Sequence, residues 1–173
     1  MSRYLFLLLY YSVLRYLPHS TVPILGSISE SLRYQCCKHI FNKCGKNVNI
    51  GSKARFGKGF DIEIGDHSGI GINSKVPSNI KIGNYVMMGP NVTIHSANHN
   101  FSRTDIPMVK QGVSESQKTV IEDDVWIGSN VILLPGKHIR RGTIIGTGAV
   151  VTKDFPEYSI IAGNPAKLIK MRK

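Results

Sequence analysis

From Ile64 onward an aliphatic side chain returns at every sixth position: Ile64, Ile70, Val76, Ile82, Met88 and Ile94. A second run, Ile121, Ile127, Leu133, Ile139, Ile145 and Val151, keeps the same step, and a weaker one, Ile50, Phe56 and Ile62, precedes both, shifted by two residues. A period of six is not the 3.6 of a helix, and it is too regular for strands joined by hairpins. It describes a very short strand, then a corner, repeated. Three such sides close one coil, and stacked coils bury a continuous aliphatic column. A sandwich would need hairpin turns such as Asn-Gly or Asp-Gly, and neither dipeptide occurs. Glycine often follows the aliphatic, as at Gly51, Gly57, Gly65, Gly71, Gly83, Gly89, Gly128 and Gly146. There the glycine, or the polar residue in its place, is expected to take the positive φ that a tight corner demands.

The march fails again between its two strong runs. Ile94 and Ile121 are twenty-seven residues apart, which is not a multiple of six, so residues 95–119 must leave the coil as an extruded loop. Loops rooted in a rigid scaffold are where functional groups are commonly held. This one opens with IHSANHNFSRTD, two histidines within five residues. Histidine is the natural proton acceptor near neutral pH. Of the six histidines, His19 and His39 lie outside the repeat, His138 reads as a solvated turn residue in GKHIRRG, and His67 as a corner residue. His95 directly follows the inward Ile94, so a structural role suits it at least as well as a chemical one. His99 stands where the loop departs. Asp105 or another loop carboxylate is available to orient it.

The charge is uneven. Residues 1–60 hold nine Lys/Arg and one acid, Glu30, while residues 61–136 hold five Lys/Arg and eight acids. The net +11 therefore sits at the two ends. No aromatic-interleaved nucleic-acid motif accompanies it, so nucleic acid is not an expected partner. An anionic surface or an anionic cofactor fits better. The stretch YLFLLLYYSVLRYL is apolar on all sides but short of the ~20 residues that span a bilayer. It reads either as a helix packed on the protein or as a peripheral membrane contact through residues 1–25. Cys36, Cys37 and Cys44 near His39 match no common zinc spacing. Clustered thiols with no other cysteine suit a reducing, cytoplasmic setting, at most peripheral on the inner face of a membrane.

The repeat, together with GPNVTI (89–94), the SANH after it, DDVWIGSNVILLPG (123–136), IIGTGAVVTKD (144–154) and AGNPAK (162–167), resembles the hexapeptide-repeat acyltransferases, in the sugar O-acetyltransferase branch with the maltose, galactoside and capsular-polysaccharide enzymes. The resemblance spans about residues 45–170. It implies an all-β, left-handed parallel β-helix; general rules for parallel crossovers favour the opposite hand. The expected organisation is a helical extension over 1–45, the β-helix over 46–160 with its loop 95–119, and a basic tail over 161–173.

Further implications come from the same resemblance. The chain would form a homotrimer with active sites between subunits, use acetyl-CoA without a metal, and employ His99 as catalytic base. Trp126, the Ser129 amide, Thr147, Lys153, Lys167 and Lys170 would line the coenzyme channel, the lysines near its phosphates. Asn73 and Asn84, in the coils before the loop, are candidates for contact with the acceptor sugar, although Asn84 in IGNYV also reads as a plain turn residue. The acceptor is expected to be a sugar or polysaccharide, with the basic apolar N-terminus favouring a lipid-linked or polysaccharide one. Two other readings share the pattern: a carbonic-anhydrase-like zinc enzyme using His67, His95 and His99, and a non-catalytic scaffold at a membrane.

Overall fold

A computed structural model describes residues 2–173. Two helices come first, α1 (Arg3–Ser12) and α2 (Leu25–Ile40), with a 3-10 turn at Leu14–Tyr16 between them. The chain then winds into a three-sided parallel β-helix. The first face stacks β1 (Lys43–Cys44), β3 (Glu63–Ile64), β5 (Lys81–Ile82), β8 (Val120–Ile121) and β11 (His138–Ile139). The second carries β2 (Asn49–Ile50), β4 (Gly69–Ile70), β6 (Met87–Met88), β9 (Trp126–Ile127), β12 (Ile144–Ile145) and β14 (Ser159–Ala162), with β15 (Lys167–Met171) antiparallel on the last. The third begins with bridges at Arg55 and Lys75 and continues through β7 (Thr93–Ile94), β10 (Ile132–Leu133) and β13 (Val150–Val151).

In β1 to β13 the second residue of each strand points inward, and both six-step runs are in register: Ile64 pairs with Ile82, Ile82 with Ile121, and Met88 with Ile127. Ile64, Ile70, Ile82, Ile121 and Ile127 are all essentially buried. Each such side chain removed from water contributes roughly 1.5–3 kcal/mol. The column of aliphatics fills the axis of the prism, and a second buried set two positions earlier, including Val86, Val92, Val125, Val131 and Ala149, packs its corners.

Two expectations about this core change. Of the glycines that follow an inward residue, only Gly57 has a positive φ, +60°. The left-handed conformation falls two residues later, at Asn47, His67, Tyr85 and Asp124 on the corner between the first and second faces, and at Lys53, Asn73, Asn91 and Asn130 on the next. What the glycines allow is stacking. A Cβ on Gly51 would lie 2.5 Å from the Ile72 nitrogen, and one on Gly71 would run into the Gly89 carbonyl oxygen of the coil above. Coils only ~4.8 Å apart leave no room for it.

The weak run is also re-registered. Cys44 and Ile50 stand under Ile64 and Ile70, twenty residues on. The first coil therefore carries two extra residues, in a corner where Gly57 and Gly59 have φ of +60° and +68°. Ile62 is buried, but two positions before an inward residue, the class of Ser68 and Ser74.

The helices close the open end of this first coil. Tyr10 Oη donates to the Ala54 carbonyl at 3.1 Å, Arg33 Nε to Ile50 at 2.7 Å and Tyr34 Oη to Gly45 at 3.0 Å. The Phe56 amide donates to Tyr11 Oη at 3.0 Å. Edge groups that nothing pairs would otherwise be exposed or buried unsatisfied. Cys36 and Cys37 are buried in this cap, and burial pushes the Cys36 thiol up to about 11. His39 stacks on Phe6 at 4.3 Å, away from metal chemistry, and the described residues contain no group of three His, Cys, Asp or Glu that could hold an ion. No helix among them is long and apolar enough to cross a membrane. The basic segment after residue 160 is no loose tail: β15 pairs along β14, and Arg172 bonds both Asp124 Oδ2 at 3.0 Å and the Gly142 carbonyl at 2.8 Å.

Candidate active site

Between Ser96 and Lys118 the chain leaves the prism as a two-legged arm, whereas the expected end residues stay in the coils. The His95 amide donates to the Leu133 carbonyl at 3.0 Å, and the carbonyl of the buried Thr119 accepts from the Lys81 amide at 3.0 Å. The Gln117 amide donates to Ser96 at 2.7 Å, Ser114 to Asn98 at 2.8 Å and Asn100 to Gly112 at 3.1 Å. His99 bridges Val113 antiparallel in the middle of this ladder, so its backbone is held on both sides while its ring is exposed and without a hydrogen-bond partner among the described residues. The Gln111 amide group ties the tip, bonding Arg103 and Ile106 carbonyls at 2.7 and 3.1 Å. Asp105 does not orient His99: its carboxylate pairs with Arg103, which holds it below the usual carboxylate range. The arm carries Phe101, Met108 and Val109 at 70%, 62% and 83% exposure, apolar side chains that find nothing to cover them in their own chain.

The residues expected on the coenzyme side gather elsewhere, Lys153 excepted. Trp126, 51% exposed, faces outward on the second face, between Met87 below and Ile144 above. Ile144 pairs with Ile160 and Ile160 with Lys170, which places Lys170 in the same column as the indole. Ser129 and Thr147 sit on the following corner, one coil apart. A Cβ on the intervening Gly128 would come within 2.7 Å of the Thr147 nitrogen, so glycine is what lets the two corners meet. The Ser129 amide has no acceptor among the described residues, while the neighbouring Gly148 amide bonds the Ser129 carbonyl at 2.9 Å. Lys167 joins this group through Ala162, its partner in the hairpin. Lys153 does not. It follows Val151 on the third face, on the edge from which the arm departs, its Nζ over the Phe155 ring at 5.6 Å.

One chain therefore presents the candidate residues in two groups on different edges, His99 and Lys153 on one, Trp126, Ser129, Thr147, Lys167 and Lys170 on the other. The zinc reading finds less support: His67 stacks on Tyr85 at 5.2 Å on the corner between the first and second faces, remote in the topology from His95 and the arm.

The expected acceptor asparagines are engaged in corners. Asn73 Nδ2 donates to Asn91 Oδ1 at 2.8 Å. Asn84 accepts from the Asp66 amide at 2.8 Å and donates through its own amide to Asp123 Oδ1 at 2.7 Å. What the sequence did not reveal is a cavity of about 340 Å³ at the lower second face, lined by His19, Arg33, Asn47, Asn49, His67 and Met87. Its floor is the outward column Asn49, Gly69, Met87, directly below Trp126. The signal was present, one residue before each inward aliphatic, but it appears only once the cap and the twenty-residue coil are in place.

His138 also differs from expectation. It lies in β11, with Nε2 2.6 Å from Glu122 Oε1, while the Arg141 amide donates to Glu122 Oε2 at 2.7 Å. Burial alone would raise the Glu122 carboxyl, but the Arg141 amide and His138 outweigh it and hold it below its ordinary value. A depressed folded pKa adds stability that is present above the unfolded value and lost as pH falls through the lowered one. Thermal melts of wild type and Glu122→Gln should therefore differ near about pH 6 and converge as the pH falls through the lowered carboxyl value.

Fold and geometry together define a β-helical protein whose candidate functional groups are divided between two edges of a prism. Residues 61–96 and 118–153 match the family model described as bacterial transferase hexapeptide, six repeats. Galactoside O-acetyltransferase of Escherichia coli K12 is 31% identical over 140 residues, covering 80% of this chain and 68% of that protein. The galactoside O-acetyltransferase of Lactococcus lactis is 37% identical over 131 residues, 74% of this chain but only 62% of its own length. A solved galactoside acetyltransferase in complex with coenzyme A superposes with a TM-score of 0.79 at 27% identity, over 98% of this chain and 80% of that one. The chain belongs to the hexapeptide-repeat transferase family.

Proposed function

We propose that this protein transfers the acetyl group of acetyl-CoA to a sugar hydroxyl in polysaccharide assembly, as a homotrimer whose active sites lie between neighbours. The observation that carries this is the division of the half-sites: an exposed histidine on an arm with an uncovered apolar surface, and a free amide beside an exposed tryptophan on another face. An arm reaching a neighbour's second face would bury Phe101 and Met108 and bring His99 to the Trp126 column. Relatives named as galactoside O-acetyltransferases, one solved with coenzyme A, support the donor and the acceptor class.

In this reading the acceptor lies in the polar groove and the thioester runs up past Trp126 toward Ser129. His99 takes the proton of the hydroxyl as its oxygen attacks the acetyl carbonyl. The Ser129 amide meets the oxyanion of the tetrahedral intermediate. Collapse expels the coenzyme thiolate, which takes the proton back from the imidazolium, leaving an O-acetyl ester and free thiol. Lys167, Lys170 and the neighbour's arm-side edge with its Lys153 supply cations for the phosphates.

Thiol release from acetyl-CoA across a panel of free, oligomeric and lipid-linked saccharides tests the activity. No release with any hydroxyl acceptor would sink it, and light scattering should give three times the 19.2 kDa chain mass. Replacing Lys167 and Lys170 with Ala together should raise KM for acetyl-CoA about tenfold while leaving kcat within about threefold, since charges remote from the reacting carbon bind ground and transition states alike. An unchanged KM would remove both from the coenzyme site.

A further inference from the structure

One surface of the cap has no part in the reading above. On α1, Phe6, Leu7 and Tyr10 pack toward the first coil and α2, while the opposite side shows Leu5, Leu8 and Leu9 at 50%, 66% and 42% exposure. Cys36 Sγ donates to the Phe6 carbonyl at 3.2 Å and His39 stacks on Phe6, so α1 lies along the flank of α2 that bears residues 32, 36 and 39. Helical spacing continues that stripe to Ile28 and Leu25. Leu25, Ile28 and Leu32 are 57%, 52% and 46% exposed. Both helices thus contribute to one apolar surface at the end of the prism.

Just behind it runs a ring of charge. The first coil carries Lys43 on the first face, Lys46 on the next corner, Lys53 on the second corner, Arg55 on the third face and Lys58 at the last corner, all exposed. Residues 43–60 contain no acid.

We infer that the cap end docks on an anionic membrane surface, its apolar helical face at the acyl boundary and the basic ring among the headgroups. An apolar stripe backed by cations is the chemistry of interfacial binding, and each Lys or Arg near such a surface strengthens it. A second copy docked cap to cap would bring two rings of like charge together. A nucleic acid would engage the ring and leave the leucines in water. Docking sets the groove lined by His19 and Arg33 beside the headgroups, open to a saccharide carried on a lipid. The inference does not depend on acetyl transfer, and each can fail without the other.

The full-length protein should co-sediment with vesicles of phosphatidylcholine containing phosphatidylglycerol and not with phosphatidylcholine alone, and binding should weaken as salt rises. Leu8→Glu with Ile28→Glu should reduce partitioning about tenfold or more, as should Lys43→Glu with Lys53→Glu and Lys58→Glu. A separate Ile28→Trp variant keeps the face apolar and guards against misfolding of the acidic ones. Its added fluorescence should shift blue and be quenched by brominated lipid. Absence of wild-type binding to anionic vesicles, equal binding by the Leu8→Glu, Ile28→Glu protein, or an indole left unquenched would each overturn the proposal. So would a wild-type particle whose mass the same double substitution halves, which would make this face a protein interface.

Discussion

His99→Ala should lower kcat by about 10²–10⁴-fold, the range for loss of a positioned general base, with coenzyme A binding retained. Both halves of that result follow from topology. His99 sits on the arm, held by the Asn98–Ser114 and Asn100–Gly112 bonds, while Trp126, Ser129 and Lys170 belong to another face. Removing the imidazole leaves that face intact. Measured acetyl-CoA turnover beside calorimetric coenzyme binding separates the two. If His99→Ala kept more than about a tenth of wild-type turnover, another base would have to be sought. The divided site also predicts complementation: mixing His99→Ala chains with Trp126→Ala chains in one oligomer should restore activity at any interface joining an intact arm to an intact face. Without such recovery, the two half-sites work within a single chain.

The second large effect concerns folding. Gly71→Ala should destabilise by about 3 kcal/mol or more, because the added methyl meets backbone of the adjacent coil and no side chain can step aside. For a chain of this size that is a fall of about 6–12 °C in Tm. Gly112→Ala is the contrast. Its φ is +79° with nothing within 4 Å of the new Cβ, so only the conformational cost of roughly 1–2 kcal/mol applies. Equal melting temperatures for the two variants would mean that the coils can separate locally, and the stacking account of these glycines would be wrong.

The prism, its coil breaks and the arm were legible because they follow from counting: Ile64 to Ile94 and Ile121 to Val151 hold one period, and the interval between them does not fit it. His99 was legible as the histidine at that break. The glycines were misread because their adjacency to corners suggested a local conformational need, whereas the need is non-local, set by Gly89 lying over Gly71. The groove was missed for a related reason. Arg33 and His19 come from the cap, Asn49 and Met87 from two coils apart, and only the two residues hidden near Gly57 and Gly59 bring those outward positions into one column. Asn73 and Asn84 looked available in sequence because the hydrogen bonds that occupy them come from residues eighteen or more positions away.

A stack of identical rungs has no intrinsic reason to stop, and a chain of another molecule could in principle lie on its last rung as the next one. Tyr10, Arg33 and Tyr34 answer that at one end, by occupying the carbonyls of Ala54, Ile50 and Gly45 that would template an incoming strand. At the other end β15 runs antiparallel and turns the growth direction back on itself. The same two terminal pieces that frame the groove and supply Lys167 and Lys170 thus keep the solenoid from becoming a fibre.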